Sequence, residues 1–257
     1  MISFLKGIAK VTLYQPLYNA LIFFVWLVPD HNVGWAIIII TLIVRVLLAP
    51  LNAGMIKSQK ALQALQPEIE RIKTDFKDDQ QAQSKAMMEL YQARKINPFG
   101  SCILLLVQLP VLWILYQVFT VGLDTSHFAL LYSFVPRPDY MATAWLGIEL
   151  TKPSLILGVL AGVAQFIQSR QLLGSQPKST KKKGEDRTAD ATAMISQQSM
   201  YLFPVLTIFL SLTFPAALTL YWFVTTVAMA AQQWWMTRQP AADGSSAISI
   251  TVRRPKA

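Results

Sequence analysis

Long apolar runs alternate with short basic stretches along this chain. Apolar segments fall at about Trp35–Leu51, Cys102–Leu123, Ser154–Leu172, Met200–Leu212 with its flanks, and Ala217–Met236. Each comes close to the 17–25 residues that a helix needs to cross a bilayer. The last two share one run, Met200–Met236, which as a single helix would be about 55 Å long, too long for one span. The segment TFPAALT interrupts it, and Pro215 supplies the turn, so a tight hairpin is expected there.

Between the first two apolar segments the period changes. Met55, Leu62, Leu65, Ile69, Ile72 and Phe76 follow at intervals of seven, three and four, the a/d seam of a coiled coil. Lys77–Asp79 marks a turn. A second helix follows with Ala86, Met87, Leu90 and Tyr91 on its apolar face, ending at INPFG. Upstream, PLYNALIFFVWLVP is apolar and preceded by Lys6 and Lys10. Two readings stay open for it: a sixth span, or an amphipathic helix on the outer leaflet with Tyr18 and Trp26 at the interface. It has no small-residue cleavage site, so a removed signal peptide is not expected.

Composition agrees with a membrane protein. The chain has 257 residues, 53% hydrophobic and only 14% charged, with a mean hydropathy of +0.39; a soluble domain carries roughly a quarter charged residues. The single Cys102 cannot form an internal disulfide. The net charge of +9 is placed unevenly. Eight cations lie between spans one and two, and six between spans three and four. More follow span five, against Arg137 and Lys152 between spans two and three and none in the last hairpin. By the positive-inside rule the basic loops and the C-terminus face the cytoplasm. The expected divisions are an N-terminal segment 1–34, a first core span 35–51, a cytoplasmic hairpin 52–97, spans two to five over 98–236 with a basic loop at 173–199, and a basic tail 237–257. Residues 174–193 and 240–257 are expected to lack a fold of their own; a solvated, featureless loop is the default reading, and contact with anionic lipid headgroups or the ribosome is the alternative. No nucleic-acid motif accompanies the basic charge, so no specific nucleic-acid partner is expected.

Arg45 breaks the first apolar run, IIIITLIVRVLLAP. A guanidinium at the bilayer centre costs about 3 kcal/mol or more, and none of the chain's 14 acids lies within a span. Arg45 either snorkels to the inner headgroups, faces a water-filled cavity, or meets an acidic group carried by another molecule. Thr41 is one turn earlier on the same face. Gln108, Gln165, Gln168, Tyr221 and Trp222 put further polar groups in the spans. As a set they could line an aqueous groove; singly, each could bond a neighbouring backbone carbonyl. Catalysis fares worse. His31 and His127 both lie in outer loops, and HExxH, a phosphate loop and a dinucleotide fingerprint are absent. No catalytic residue, cofactor or metal ligand is assigned, and a non-enzymatic role is expected.

Three stretches carry a resemblance: GWAIIIITLIVRVLLAPLNAGMIKSQKALQALQPEIERIK, MMELYQARKINPFGSCILLLVQLPVLWILYQVF and FPAALTLYWFVTTVAMAAQQWW. With the lone Arg in the first core span, the charged hairpin, the NP-G before span two and the FP-xxL-LYW at the last hairpin, the chain from Pro16 to Trp235 resembles the YidC-type membrane protein insertases of the wider oxidase-assembly and Albino group. The resemblance implies an all-α, polytopic membrane protein of the bacterial plasma membrane. Five core spans enclose a hydrophilic groove open to the cytoplasm and to lipid, with the C-terminus cytoplasmic. It implies Arg45 as the groove cation, with Thr41, Gln108, Tyr221 and Trp222 at groove-lining positions, and an external amphipathic helix at about Pro16–Leu27. Clients would be nascent membrane proteins, with ribosome and Sec translocon as further candidate partners and no cofactor. The large periplasmic domain and the lipoprotein cysteine of other members are not found in this sequence, and Trp222 stands where many members have a second Tyr. A small transporter or a lipid scramblase using the same groove is the alternative, and a scaffold that binds clients without speeding insertion is a further rival.

Overall fold

The computed structural model describes Thr12 and residues 14–77, 79–94, 112–113, 115–120, 125–173 and 201–238. Gln108, Cys102, most of the second expected span, the INPFG break, the basic loop 174–199 and the tail from 239 onward lie outside the described residues. The described chain is predominantly helical. Helix α1 is Gln15–Leu27, α2 Val33–Ala64, α3 Gln66–Asp75 and α4 Gln80–Ala93. A short helical stretch at 115–120, here α5, precedes a loop layer. Helices α6 (Leu155–Leu173), α7 (Tyr201–Ser211) and α8 (Ala216–Arg238) follow.

Helix α2 is long and apolar enough to cross a membrane. Its 32 residues rise about 48 Å, and it does not stop at the expected boundary of Leu51. Pro50 sits inside it: a proline removes one backbone donor, but good helix formers on both sides carry the helix on to Ala64. The break comes at Leu65, two residues before Pro67 in the first turn of α3, which has no N–H to give the carbonyl one turn back. Leu65, Ile69 and Ile72 pack against Ala86 and Leu90 of α4, with Phe76, Met87 and Tyr91 at the margin. The intervening turn is closed by Asp79, whose carboxylate caps α4 by accepting from the backbone of Gln81 and Ala82 at 3.1 and 2.9 Å. Arg94 returns to Glu68 at 2.8 Å, joining the far ends of the two helices.

Helix α1 buries Tyr18, Leu21, Ile22 and Val25, one face at helical spacing, and exposes Phe23, Trp26 and Leu27. Its 13 residues rise about 20 Å, short of the roughly 30 Å hydrocarbon core. It is docked by side-chain amides. Asn19 donates to the carbonyls of Gln15 and Leu130 at 2.7 and 3.0 Å and accepts from the Tyr132 amide at 2.6 Å; Gln15 donates to the same Leu130 carbonyl.

Residues 125–153 form a fixed layer over the helix ends. They contain the one β-sheet among the described residues, a hairpin of β1 (Ala144–Trp145) and β2 (Ile148–Glu149). Asn32 is the junction. Its Oδ1 accepts from Gly34 at 3.0 Å, capping α2, while its Nδ2 donates to Ala144 at 2.8 Å. Gly34 lies flat against the Trp145 ring, where a Cβ would overlap it. At the other side, the first free amides of α8 are met by this layer: Ala216 donates to Lys152 at 2.8 Å and Ala217 to Leu150 at 2.9 Å.

The main apolar core sits beneath this layer. Val33, Ala36 and Ile37 of α2 meet the buried face of α1, Val118 and Phe119 of α5, Leu157 of α6, and Ala216–Leu218 and Leu220 of α8. Helix α8 packs between α2 and α6. Helices α6 and α7 approach through Gly158 and Gly162. A Cβ on Gly162 would lie 2.7 Å from Ile208 and 3.1 Å from the Pro204 carbonyl, and one on Gly158 would overlap Ser211. Small residues four apart let two helices touch backbone to backbone, which is how packing is gained where the solvent is lipid.

Candidate functional site

Away from that core, the buried residues of the same helices change character. On α2 the inward sequence runs Ile37, Thr41, Arg45, Asn52; on α8 it runs Leu220, Thr225, Thr226, Gln233. Helix α7 contributes buried Thr207 and Ser211. The outward surfaces are the reverse: Leu42, Ile43, Val46, Leu47 and Leu51 of α2, Ile156, Val159 and Val163 of α6, and Val205, Leu206 and Phe209 of α7 are all exposed. Apolar outside and polar inside is the arrangement hydrocarbon imposes, because a polar group facing lipid has nothing to bond.

Arg45 is only 9% exposed and Thr41 2%. Thr41 donates to the Ile37 carbonyl at 2.6 Å, so its hydroxyl is satisfied within its own helix, the backbone alternative open to any polar residue in a span. Arg45 follows one turn on. No Asp or Glu occurs in α2, α6, α7 or α8, so none of these helices offers the guanidinium a carboxylate.

The remaining expected residues separate. Gln165 accepts a hydrogen bond from the Thr207 hydroxyl, which makes it a tie between α6 and α7. Tyr221 packs on the apolar core, and Trp222 is half-buried on the next position of α8. Gln108 lies outside the described residues. Sequence reasoning passed over Asn52, Gln59 and the pair Gln232–Gln233. With Gln168, these line a pocket of about 50 Å³ between α2, α6 and α8, together with Met55, Ile56 and Met229. Gln232 donates to the Ala49 carbonyl at 2.7 Å, beside Pro50, and Lys60 donates to the Met236 carbonyl at 3.0 Å at the end of α8. A signal for them existed: Asn52 stands two turns beyond Arg45, and Thr219, Thr226 and Gln233 repeat every seven residues on α8.

The model of the family described as 60Kd inner membrane protein matches residues 24–243. The chain belongs to that family. Among its curated relatives is a membrane protein insertase YidC from Stutzerimonas stutzeri, 34% identical over 209 residues, covering 81% of this chain and 33% of the relative. One of the same name from Geobacter sulfurreducens is 32% identical over 231 residues, 88% of this chain and 37% of the relative. The protein so named from Fusobacterium nucleatum is 32% identical over 210 residues, covering 82% of this chain and 88% of its own length. The chain thus spans about a third of the length of the first two and most of the third. Membership in the 60Kd inner membrane protein family makes it a bacterial membrane protein and accounts for the apolar outer surfaces of α2, α6 and α7 as lipid-facing.

Proposed function

We propose that this chain is a non-enzymatic membrane protein insertase and chaperone, placed as a multi-pass protein of the bacterial plasma membrane with its C-terminus in the cytoplasm. The observation that carries the reading is Arg45, 9% exposed on the polar inward face of an apolar helix, in a family whose relatives bear the name insertase. A client's hydrophilic tail must cross about 30 Å of hydrocarbon. A polar cleft open toward the cytoplasm and closed outward by the apolar core shortens that path. Arg45 attracts Asp or Glu in the tail, more strongly in a partly desolvated cleft than in water. The client's apolar segment then leaves sideways into lipid, its burial supplying roughly 25 cal/mol per Å². Thr41, Gln108, Gln165, Tyr221 and Trp222 belong to the same proposed groove, Gln165 and Tyr221 chiefly by holding its walls. Nascent membrane proteins are the clients; the ribosome, the Sec translocon and anionic lipids are proposed contacts of the basic segments.

The test is insertion of a single-span client with an acidic translocated tail into liposomes holding the purified chain, read by protease protection of the tail. Wild type is expected to protect the tail and Arg45→Ala to lose roughly tenfold in rate, about 1.4 kcal/mol. Equal insertion by both would remove the charge-attraction mechanism. Solute flux without tail protection would favour a transporter.

A further inference from the structure

The pocket between α2, α6 and α8 has a composition the Arg45 mechanism does not use. Five of its lining residues are carboxamides, Asn52, Gln59, Gln168, Gln232 and Gln233, with Met229 among the apolar remainder and no charged residue among the described lining. Asn52 is 4% exposed, and its Nδ2 has no hydrogen-bond partner among the described residues. A buried amide donor left unmade costs about 1–3 kcal/mol, so Asn52 is held where an acceptor must come from elsewhere. The volume of about 50 Å³ has room for a few waters or one peptide group.

A carboxamide offers one acceptor and two donors, the same pair of functions as a peptide bond. A phosphate headgroup would call for cations, which the described lining does not offer. A hydrophilic tail moving toward hydrocarbon has one problem its side chains do not solve: every peptide N–H and C=O loses water, at several kcal/mol apiece without a replacement. Asn52 lies seven residues, about 10 Å of helix rise, beyond Arg45, toward the end where α2 runs on into α3. A tail entering there meets amides before it meets the guanidinium.

We propose that this pocket binds the main chain of the client tail in extended form, through hydrogen bonds from Asn52 and the glutamines to peptide groups, independently of tail sequence. The inference rests on the insertase reading and gives that reading its substrate chemistry: Arg45 selects for acid, and the amide pocket takes any backbone. Met229 keeps the wall adaptable, since an unbranched thioether fits irregular shapes.

The experiment uses the full chain in liposomes with synthetic single-span clients bearing a neutral tail, made either with ordinary peptide bonds or with N-methylated residues that lack the donor. Asn52→Leu combined with Gln168→Leu is expected to slow the ordinary neutral tail about fivefold, the worth of one hydrogen bond. The N-methylated tail is expected to be slow with wild type and insensitive to the double variant. A photo-cross-linker in place of Met229, in otherwise wild-type protein, is expected to label the client tail, which keeps the test independent of how well the double variant folds. Cross-links only within the chain, or equal slowing of both tails, would overturn the proposal. If no client is inserted yet the Met229 probe labels the tail, the insertase reading falls and the pocket's ligand stands.

Discussion

The side chain of Asn19 accepts a 2.6 Å hydrogen bond from the main-chain amide of Tyr132, across 113 residues of sequence. With its donated bond to the Leu130 carbonyl, that one buried amide fixes α1 to the loop layer. Asn19→Leu keeps the volume but leaves the Tyr132 amide without its acceptor, at a cost of about 1–3 kcal/mol. A lower thermal unfolding midpoint in detergent is the expected result, and an unchanged midpoint would mean that apolar packing alone holds α1.

Glycines on two helices should respond in opposite directions. Gly162→Val drives a side chain into Ile208 and the Pro204 carbonyl, so α6 and α7 must separate, at roughly 1–3 kcal/mol as for other overpacked sites. Gly54 lies exposed on α2 with nothing near its missing Cβ, and Gly54→Ala should stabilise by about 1 kcal/mol through helix propensity. Chemical unfolding of the two variants side by side checks both signs.

At the tip of the β-hairpin, Leu146 and Gly147 both have positive φ, 47° and 79°, the two-residue turn that favours Asn-Gly. Leu146 is 73% exposed, so no buried contact repays its left-handed backbone. Leu146→Asn is expected to raise stability by up to about 1 kcal/mol. A loss on substitution would show that the leucine has a partner in the membrane.

Glu149 sits on the strand leaving that turn. The Thr151 hydroxyl donates to its carboxylate at 2.8 Å, and this bond, more than the smaller contributions of Thr143 and Lys152, holds its pKa below the ordinary 4.5. A carboxylate with a depressed folded-state pKa adds stability that is complete above the unfolded value and is lost as pH falls through the folded one. The contribution therefore disappears below about pH 4.5. Thr151→Val should move the Glu149 titration upward, measured by NMR of the labelled carboxyl carbon, and should flatten this acid-side loss.

Arg45 acts as a charge in the proposed mechanism, not as a planar fork. Arg45→Lys should therefore keep most of the insertion of acidic-tailed clients that Arg45→Ala loses. Lysine failing as badly as alanine in the liposome assay would point to bidentate recognition instead.

The elements with a local period were legible before any coordinates. Leu65, Ile69, Ile72, Ala86 and Leu90 are the residues buried between α3 and α4, and each stood out by spacing. The interruption at TFPAALT is where α7 ends and α8 begins. The loop layer was not legible, because its ties run from single amides, Asn19 and Asn32, to main chain more than 100 residues away, and no periodicity records such bonds. Gln165 shows a second limit. A glutamine in an apolar run announces a polar need but not who meets it, and Thr207 on α7 does. Asn52 and Gln233 went unremarked in the sequence, and helix packing turns both inward.

The division of α2 and α8 into an apolar end and a polar end has a mechanical consequence. Both helices are gripped where Ile37 and Leu218 are buried, and farther along they are joined by a few hydrogen bonds such as Gln232 to Ala49. The assembly is built like a clothes peg, with its spring at the loop layer and its jaws at Asn52 and Gln233. Amide exchange along either helix should quicken from the spring toward the jaws, and in the proposed mechanism an arriving chain need only part the jaws, leaving the spring shut.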